Sequence, residues 1–168
     1  SGDLSEETTA LLGVSALYGP NATGEDGETF IYGADLTLKW RAAGNQRGYP
    51  FVTWQTEIMK RDFDADAVSI SHEDEVHAFA AASLEDWGLY SQLLWGFAPG
   101  WEAGLRVEYA TGSDDGLEAR DEDAARSDRV RISPLVAWRP SEFSRLRLQY
   151  NYDDADFLAD GEAHTVWA

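Results

Sequence analysis

Histidines and carboxylates crowd into one short segment, His72-Glu73-Asp74-Glu75-Val76-His77. Imidazole with carboxylate suits zinc or nickel, and carboxylates alone suit calcium. His72, Glu73, Glu75 and His77 are the candidate ligands. The two histidines lie five residues apart, which is not the spacing of a helical HExxH zinc motif. A solvated acidic loop therefore stands beside the metal reading. The runs Asp114-Asp115, Asp121-Glu122-Asp123 and Asp153-Asp154-Ala155-Asp156 lack the spacing of an EF-hand loop. They suit divalent cations bridging lipopolysaccharide, or simple solvation. The chain has no cysteine, so disulfides, thiolate zinc sites and cysteine nucleophiles are excluded. His77 and His164 have carboxylates nearby, but the serines fall in no nucleophile motif and Gly96 to Gly104 is a turn, not a phosphate cradle. The chain reads as a non-enzyme, with no cofactor beyond a divalent cation in its outer loops.

A second set of charged residues is spread along alternating segments. From Phe30 to Arg41, Phe30, Tyr32, Ala34, Leu36, Leu38 and Trp40 fall on one face, while Asp35, Lys39 and Arg41 fall on the other. This period of two belongs to strands. The pattern recurs over 8–18, 29–41, 50–61, 87–97, 101–110, 129–139 and 145–153, and an eighth strand starts at 164–168. These runs of about nine to twelve residues exceed the usual five or six of globular strands and match the nine to eleven of a membrane-crossing strand.

The connections alternate between longer and shorter. The longer four, 19–28, 62–86, 111–128 and 153–164, hold 23 of the 31 acidic residues and, of the 13 basic ones, only Arg120 and Arg126 besides the flanking residues. Aromatic residues gather at both ends of the apolar faces, with Trp40, Trp101 and Trp138 by the short turns and Tyr18, Phe30, Trp87 and Tyr109 by the long loops. Long loops at one end, tight turns at the other and two aromatic girdles describe an antiparallel up-and-down transmembrane β-barrel. The alternative is a soluble barrel or sandwich with the apolar face inside. A net charge of −18 argues against nucleic-acid partners and against a polybasic membrane-surface protein. No apolar run reaches the roughly 18 residues of a spanning helix. No signal peptide opens the chain, as expected of a mature, trimmed or partial sequence.

Four segments carry a resemblance: Tyr32 to Arg41 (YGADLTLKWR), Arg47 to Glu57 (RGYPFVTWQTE), Ser133 to Asp153 (SPLVAWRPSEFSRLRLQYNYD) and His164 to Trp167 (HTVW). The chain resembles a family of Gram-negative outer-membrane β-barrel proteins, porin-like, some of whose members are described as TonB-dependent or zinc-regulated outer-membrane receptors. The Trp138-to-Phe143 turn with the Arg/Leu alternation after it is the most specific piece. It resembles the C-terminal part of such a barrel. The resemblance implies one barrel segment over residues 1–168, seven strands plus the start of an eighth, within a larger barrel in the bacterial outer membrane. The implied partners are the bilayer, lipopolysaccharide, the barrel assembly machinery and further copies or subunits of a membrane complex. No plug domain is visible, which sets this chain apart from the TonB-dependent members.

If the apolar faces meet lipid, the opposite faces line a lumen. The pore-lining candidates are then Asp35, Lys39, Glu57, Arg106, Glu108, Arg131, Arg139, Arg145 and Arg147. In a wide barrel they line a passive pore for small solutes or ions. In a narrow one they pair and fill it, leaving a closed structural or binding barrel whose acidic loops take metal, lipopolysaccharide or a partner protein.

Overall fold

The computed structural model describes residues 2–72, 75–114 and 126–168. Its strands are β1 (Gly2–Asp3), β2 (Thr8–Pro20), β3 (Glu28–Gln46), β4 (Tyr49–Ala65), β5 (Val68–His72), β6 (Glu75–Phe79), β7 (Ala82–Ala98), β8 (Trp101–Asp114), β9 (Arg129–Ser141), β10 (Ser144–Ala155) and β11 (Glu162–Trp167). Nine form one antiparallel sheet in the order β1-β2-β3-β4-β7-β8-β9-β10-β11, and β5 and β6 form a separate hairpin. Apart from that hairpin, chain neighbours are sheet neighbours. This is an up-and-down meander: the seven alternating segments of the sequence are its seven long strands, and the expected start of an eighth is the six-residue β11.

Tight turns gather at one end of the sheet. Arg47 and Gly48, both with positive φ (54° and 86°), close the step from Gln46 to Tyr49. Such mirror-image two-residue turns match the twist of the strands they join. Pro99-Gly100 joins β7 to β8, where proline presets the first central residue and Gly100 takes the left-handed second (φ 81°). Glu142-Phe143 joins β9 to β10, with the Ser141 and Ser144 hydroxyls 2.5 Å apart across the turn. At the opposite end the Asn21 side chain donates to the carbonyls of Glu28 and Asp64, both at 2.8 Å, and ties the 21–27 loop to β4.

Two expected connections change. The stretch 62–86 is not one long loop: β4 continues to Ala65, β7 begins at Ala82, and β5–β6 form a hairpin between them. Polar residues that read as loop are cross-strand partners. Lys60 lies 3.2 Å from Asp62 and 3.0 Å from Glu85, and Arg61 Nε donates to Asp86 at 2.8 Å. Likewise 42–48 shrinks to a two-residue turn because β3 runs on to Gln46. Among the described residues no strand joins β11 to β1 or β2, so the sheet is open and not closed into a barrel.

The two faces differ in a way that decides where the interior lies. The apolar face is the exposed one: Leu12 is 71% exposed, Val14 82%, Leu105 46% and Leu148 54%. The polar face holds the most deeply buried polar side chains, Glu102 (1%), Ser133 (2%) and Asn151 (2%). A single cleft on that side touches residues of β4, β7, β8, β9, β10 and β11. The sheet therefore curls around its polar face. Buried apolar residues amount to Leu84, Ala137 and Ala155 among those described.

Gly100 tests the turn geometry. A Cβ there would stand 2.7 Å from the Arg139 carbonyl oxygen, on a backbone already at positive φ. Gly100→Ala should lower stability by about 1–3 kcal/mol, read as the urea midpoint of the folded protein. Gly19→Ala, with nothing within 4 Å of the added Cβ, should change it by no more than about 0.5 kcal/mol.

Candidate functional site

Strand register turns scattered charges into rows. One row crosses almost the whole sheet on the polar face: Gly13, Asp35, Glu57, Tyr90, Glu108, Arg131, Asp153 and Ala163 are successive cross-strand partners. Asp35, Glu57, Glu108 and Arg131, expected on one face from alternation, are thus level with one another. Carboxylates directly opposite across a strand pair repel, and Asp35 and Glu57 stand in that relation. Farther along the row the charges are paired. Arg131 Nε donates to Asp153 Oδ1 at 2.5 Å. In the adjacent row Arg106 donates to Glu108 at 2.7 Å while its guanidinium lies 4.0 Å from the centre of the Tyr90 ring. That geometry combines a charge-assisted hydrogen bond with a cation–π contact.

Toward the loop end, Asp86 takes two arginines, Arg61 from β4 and Arg126 from the segment before β9. Arg126 thereby fastens its segment to the sheet. Toward the turn end, Glu102 collects Arg139 Nη1 at 3.2 Å from Oε1, Arg145 Nη2 at 3.6 Å from Oε2, and the Tyr49 hydroxyl at 3.5 Å. Arg147 shares a row with Glu102, Ala137 lying between them, and donates to Gln149. Lys39 lies one row further in, opposite Thr53. All nine pore-lining candidates therefore occupy the curled face. The cleft against its loop-end half measures about 1120 Å3 and is lined by Glu57, Arg61, Asp86, Glu108, Arg131 and Asp153, among others.

The candidate metal segment falls differently. Backbone pairing in the β5–β6 hairpin sets His72 opposite Glu75, and His77 opposite Ile70. Glu73 lies outside the described residues, as do the side chains of His72, Glu75 and His77. Among the described residues no group of three or more histidines and carboxylates is arranged to hold a metal ion.

Glu102, Asp86, Arg126, Tyr90 and Asp153 are site residues outside the pore-lining candidates of the sequence, Asp153 having figured there only within an acidic run. Four of them were in reach of the same signal. Asp86 and Tyr90 share parity with Gly88 and Gln92, Asp153 with Asn151 and Gln149, and Glu102 with Gly104 and Arg106. Tyr90, Glu102 and Asp153 already fall on the polar face inside the expected strands, and one step before 87–97 reaches Asp86. Arg126 had no such signal, since it lies in no strand.

No family model matches this chain. An uncharacterised protein of Aquifex aeolicus (strain VF5) is 25% identical over 134 residues, which are 80% of this chain and 26% of that protein. The chain thus spans about a quarter of the relative's length. No solved structure matches. The class defined here is an all-β antiparallel meander with rows of paired charges on its curled face.

Asp86 is shared by two arginines at the loop end. Asp86→Ala leaves Arg61 and Arg126 without their shared acceptor. Solvent re-hydrates the half-exposed Arg61, so the expected cost is modest, about 1–2 kcal/mol. Thermal unfolding followed by circular dichroism measures it, and Asp86→Glu should restore part of the loss.

Proposed function

We propose that this chain is an arc of a bacterial outer-membrane β-barrel, and that the barrel is a porin-like passive pore for small solutes or ions. One observation carries the reading: the sheet exposes its apolar face and encloses its polar one. Water favours the reverse arrangement, because burying apolar area releases about 25 cal/mol per Å2 and burying unpaired charge costs several kcal/mol per ion. Against acyl chains the observed arrangement becomes the favourable one.

The outer band supports this in its position as well as its composition. Val14, the middle of the apolar run on β2, is level in register with Ala34, Ile58, Leu89, Tyr109, Val130 and finally Asp154 on β10. On β10 the apolar run is Leu146, Leu148, Tyr150 and Tyr152, centred about five residues nearer the turn end. The band thus descends obliquely across six strand steps, about 16 Å down for about 29 Å across. A band of constant height on strands tilted by about 30° looks like this, close to the 35–45° of membrane barrels.

Ring pairs mark both margins. Trp87 and Tyr109 lie 5.0 Å apart at the loop side, and Trp101 and Trp138 stack at 5.6 Å at the turn side. From Trp87 to Trp95 on β7 is about 27 Å along the strand, or about 23 Å along the normal at that tilt, against an apolar belt of about 25 Å. Lipid tolerates no unpaired sheet edge, so in a membrane the free edges of β2 and β11 pair with further strands. The relative's greater length accommodates such strands. The alternative reading is a filled barrel, favoured by the Arg131–Asp153 and Arg106–Glu108 pairs, which take up charge that a pore leaves to water.

Two measurements test the proposal. Folded into vesicles of brominated lipid, the protein should show quenched tryptophan emission, and in planar bilayers it should give stepwise conductance. Insertion without conductance selects the filled barrel, and a protein that stays monodisperse without detergent and unquenched in vesicles removes the membrane reading. Leu105, in the middle of the β8 run, sharpens the test. Leu105→Arg should cost about 2–4 kcal/mol of stability in lipid, whereas on a water-facing surface it should cost almost nothing.

A further inference from the structure

The turn end of the curled face concentrates positive charge around one buried carboxylate. Glu102 is 1% exposed, and the sequence around it explains why. Its row neighbours are Gly96 and Ala137, which put no bulky side chain beside it. The Phe51 ring lies over Gly96, where an added Cβ would collide with it. The Tyr49 hydroxyl reaches Glu102 Oε1 at 3.5 Å. A carboxylate sealed this way needs cations, and it has two: Arg139 and Arg145, each on a different oxygen.

The balance is lopsided. One negative charge holds two positive ones, and Arg147 adds a third from the same row. Glu102 is almost fully covered, but the Arg139 and Arg145 side chains remain 45% and 43% exposed. Each guanidinium has five N–H donors in a planar fork, and Glu102 engages one nitrogen of each. The Arg139 backbone is fixed as well, its amide donating to the Gly100 carbonyl at 2.8 Å. Glu102 thus draws two half-exposed guanidinium groups to one place by ion pairing, with most of their donors left for something else.

We propose that Arg139 and Arg145, oriented by Glu102, form a binding site for small oxyanions, phosphate or carboxylate groups, at the turn-end mouth of the curled face. Guanidinium forks match the paired oxygens of such groups, which a spherical halide lacks. Glu102 is a positioning residue: it touches the arginines and not the anion. The proposal rests on the pore reading only for its setting, since a site at a mouth meets every solute that passes. Solutes carrying a phosphate or carboxylate are held there, and simple cations are repelled.

The test is calorimetric titration of the intact protein in maltoside micelles with inorganic phosphate, and separately with chloride at matched ionic strength. Saturable phosphate binding with no chloride counterpart is expected. Arg139→Gln with Arg145→Gln should weaken phosphate binding at least tenfold. Glu102→Gln separates positioning from net charge, because it makes the site more positive while releasing the forks. Weaker binding in Glu102→Gln supports positioning, whereas tighter binding overturns it. A β-type circular dichroism spectrum and unchanged heat-shifted gel mobility certify that each variant is folded, and Arg139→Lys is the second variant should the double one fail. Equal phosphate and chloride binding, or none, overturns the site. Planar-bilayer conductance is recorded in parallel: conductance without phosphate binding leaves the pore standing and removes the site, and binding without conductance does the reverse.

Discussion

The structure depends on keeping polar side chains inside a curl of sheet while apolar side chains stay outside. The backbone satisfies itself through the ladders, as any sheet must. The side chains on the enclosed face then face a stricter condition, because a buried charge without a partner is expensive. They meet it by pairing across strands: Arg131 with Asp153, Arg106 with Glu108, Arg61 and Arg126 with Asp86, Arg139 and Arg145 with Glu102. Every one of these pairs but Arg106–Glu108 joins different strands or a strand and its approach. The interior is organised by electrostatics, with only Leu84, Ala137 and Ala155 as buried apolar residues among those described.

That organisation divides the enclosed face along the strand axis. Near the loops a carboxylate is shared by two arginines, and the loops beyond it are acidic. In the middle, acidic residues on β3 and β4 give way to paired charges on β8, β9 and β10. Near the turns, Lys39, Arg41, Arg139, Arg145 and Arg147 lie on the same face, with Glu102 as the buried counter-charge. A solute moving along this face would leave a region of negative potential and enter a positive one. Glycine and alanine at 13, 33, 88, 110, 155 and 163 keep the upper rows shallow, which is why the large cleft lies there and not against the turns.

Local signals in the sequence were enough for the long strands of the meander and for their order, though not for β1 or the β5–β6 hairpin. Phe30 to Trp40 alternates without a break, and the turn dipeptides Arg47-Gly48 and Pro99-Gly100 announce reversals. Strand ends were harder to read. Asp62, Asp64, Glu85 and Asp86 look like loop residues one at a time, and become strand residues only when register sets Asp62 opposite Glu85 and Asp64 opposite Ser83. Register is a non-local property fixed by the sum of many cross-strand pairs. The same reason hid Glu102. Its importance comes from Gly96 across the tight turn, Ala137 on the other side and two arginines, Arg139 of β9 and Arg145 of β10, the last three all distant from it in sequence. Val68 to His72 does alternate, but a five-residue run beside an acidic tip carries too little signal to separate hairpin from loop.

The free edge of β2 bears on the same question as the exposed apolar face, from an independent direction. Thr8 to Pro20 contains no charged residue, and Leu11, Leu12, Val14, Leu17 and Tyr18 are all well exposed along it. Sheets that meet water blunt such edges with lysine, early proline, bulges or short strands, because a long apolar edge recruits other strands. Here the strand is thirteen residues long, and β1 covers it only opposite Thr9 and Ala10. The pairing of β1 is antiparallel and its reversal lies at the turn end, so a strand continuing that register along Leu11 to Tyr18 would extend the meander without changing its alternation. An uncharged edge and an outward apolar face are awkward separately in water. In a closed barrel within lipid both become requirements, the first of backbone saturation and the second of solvation.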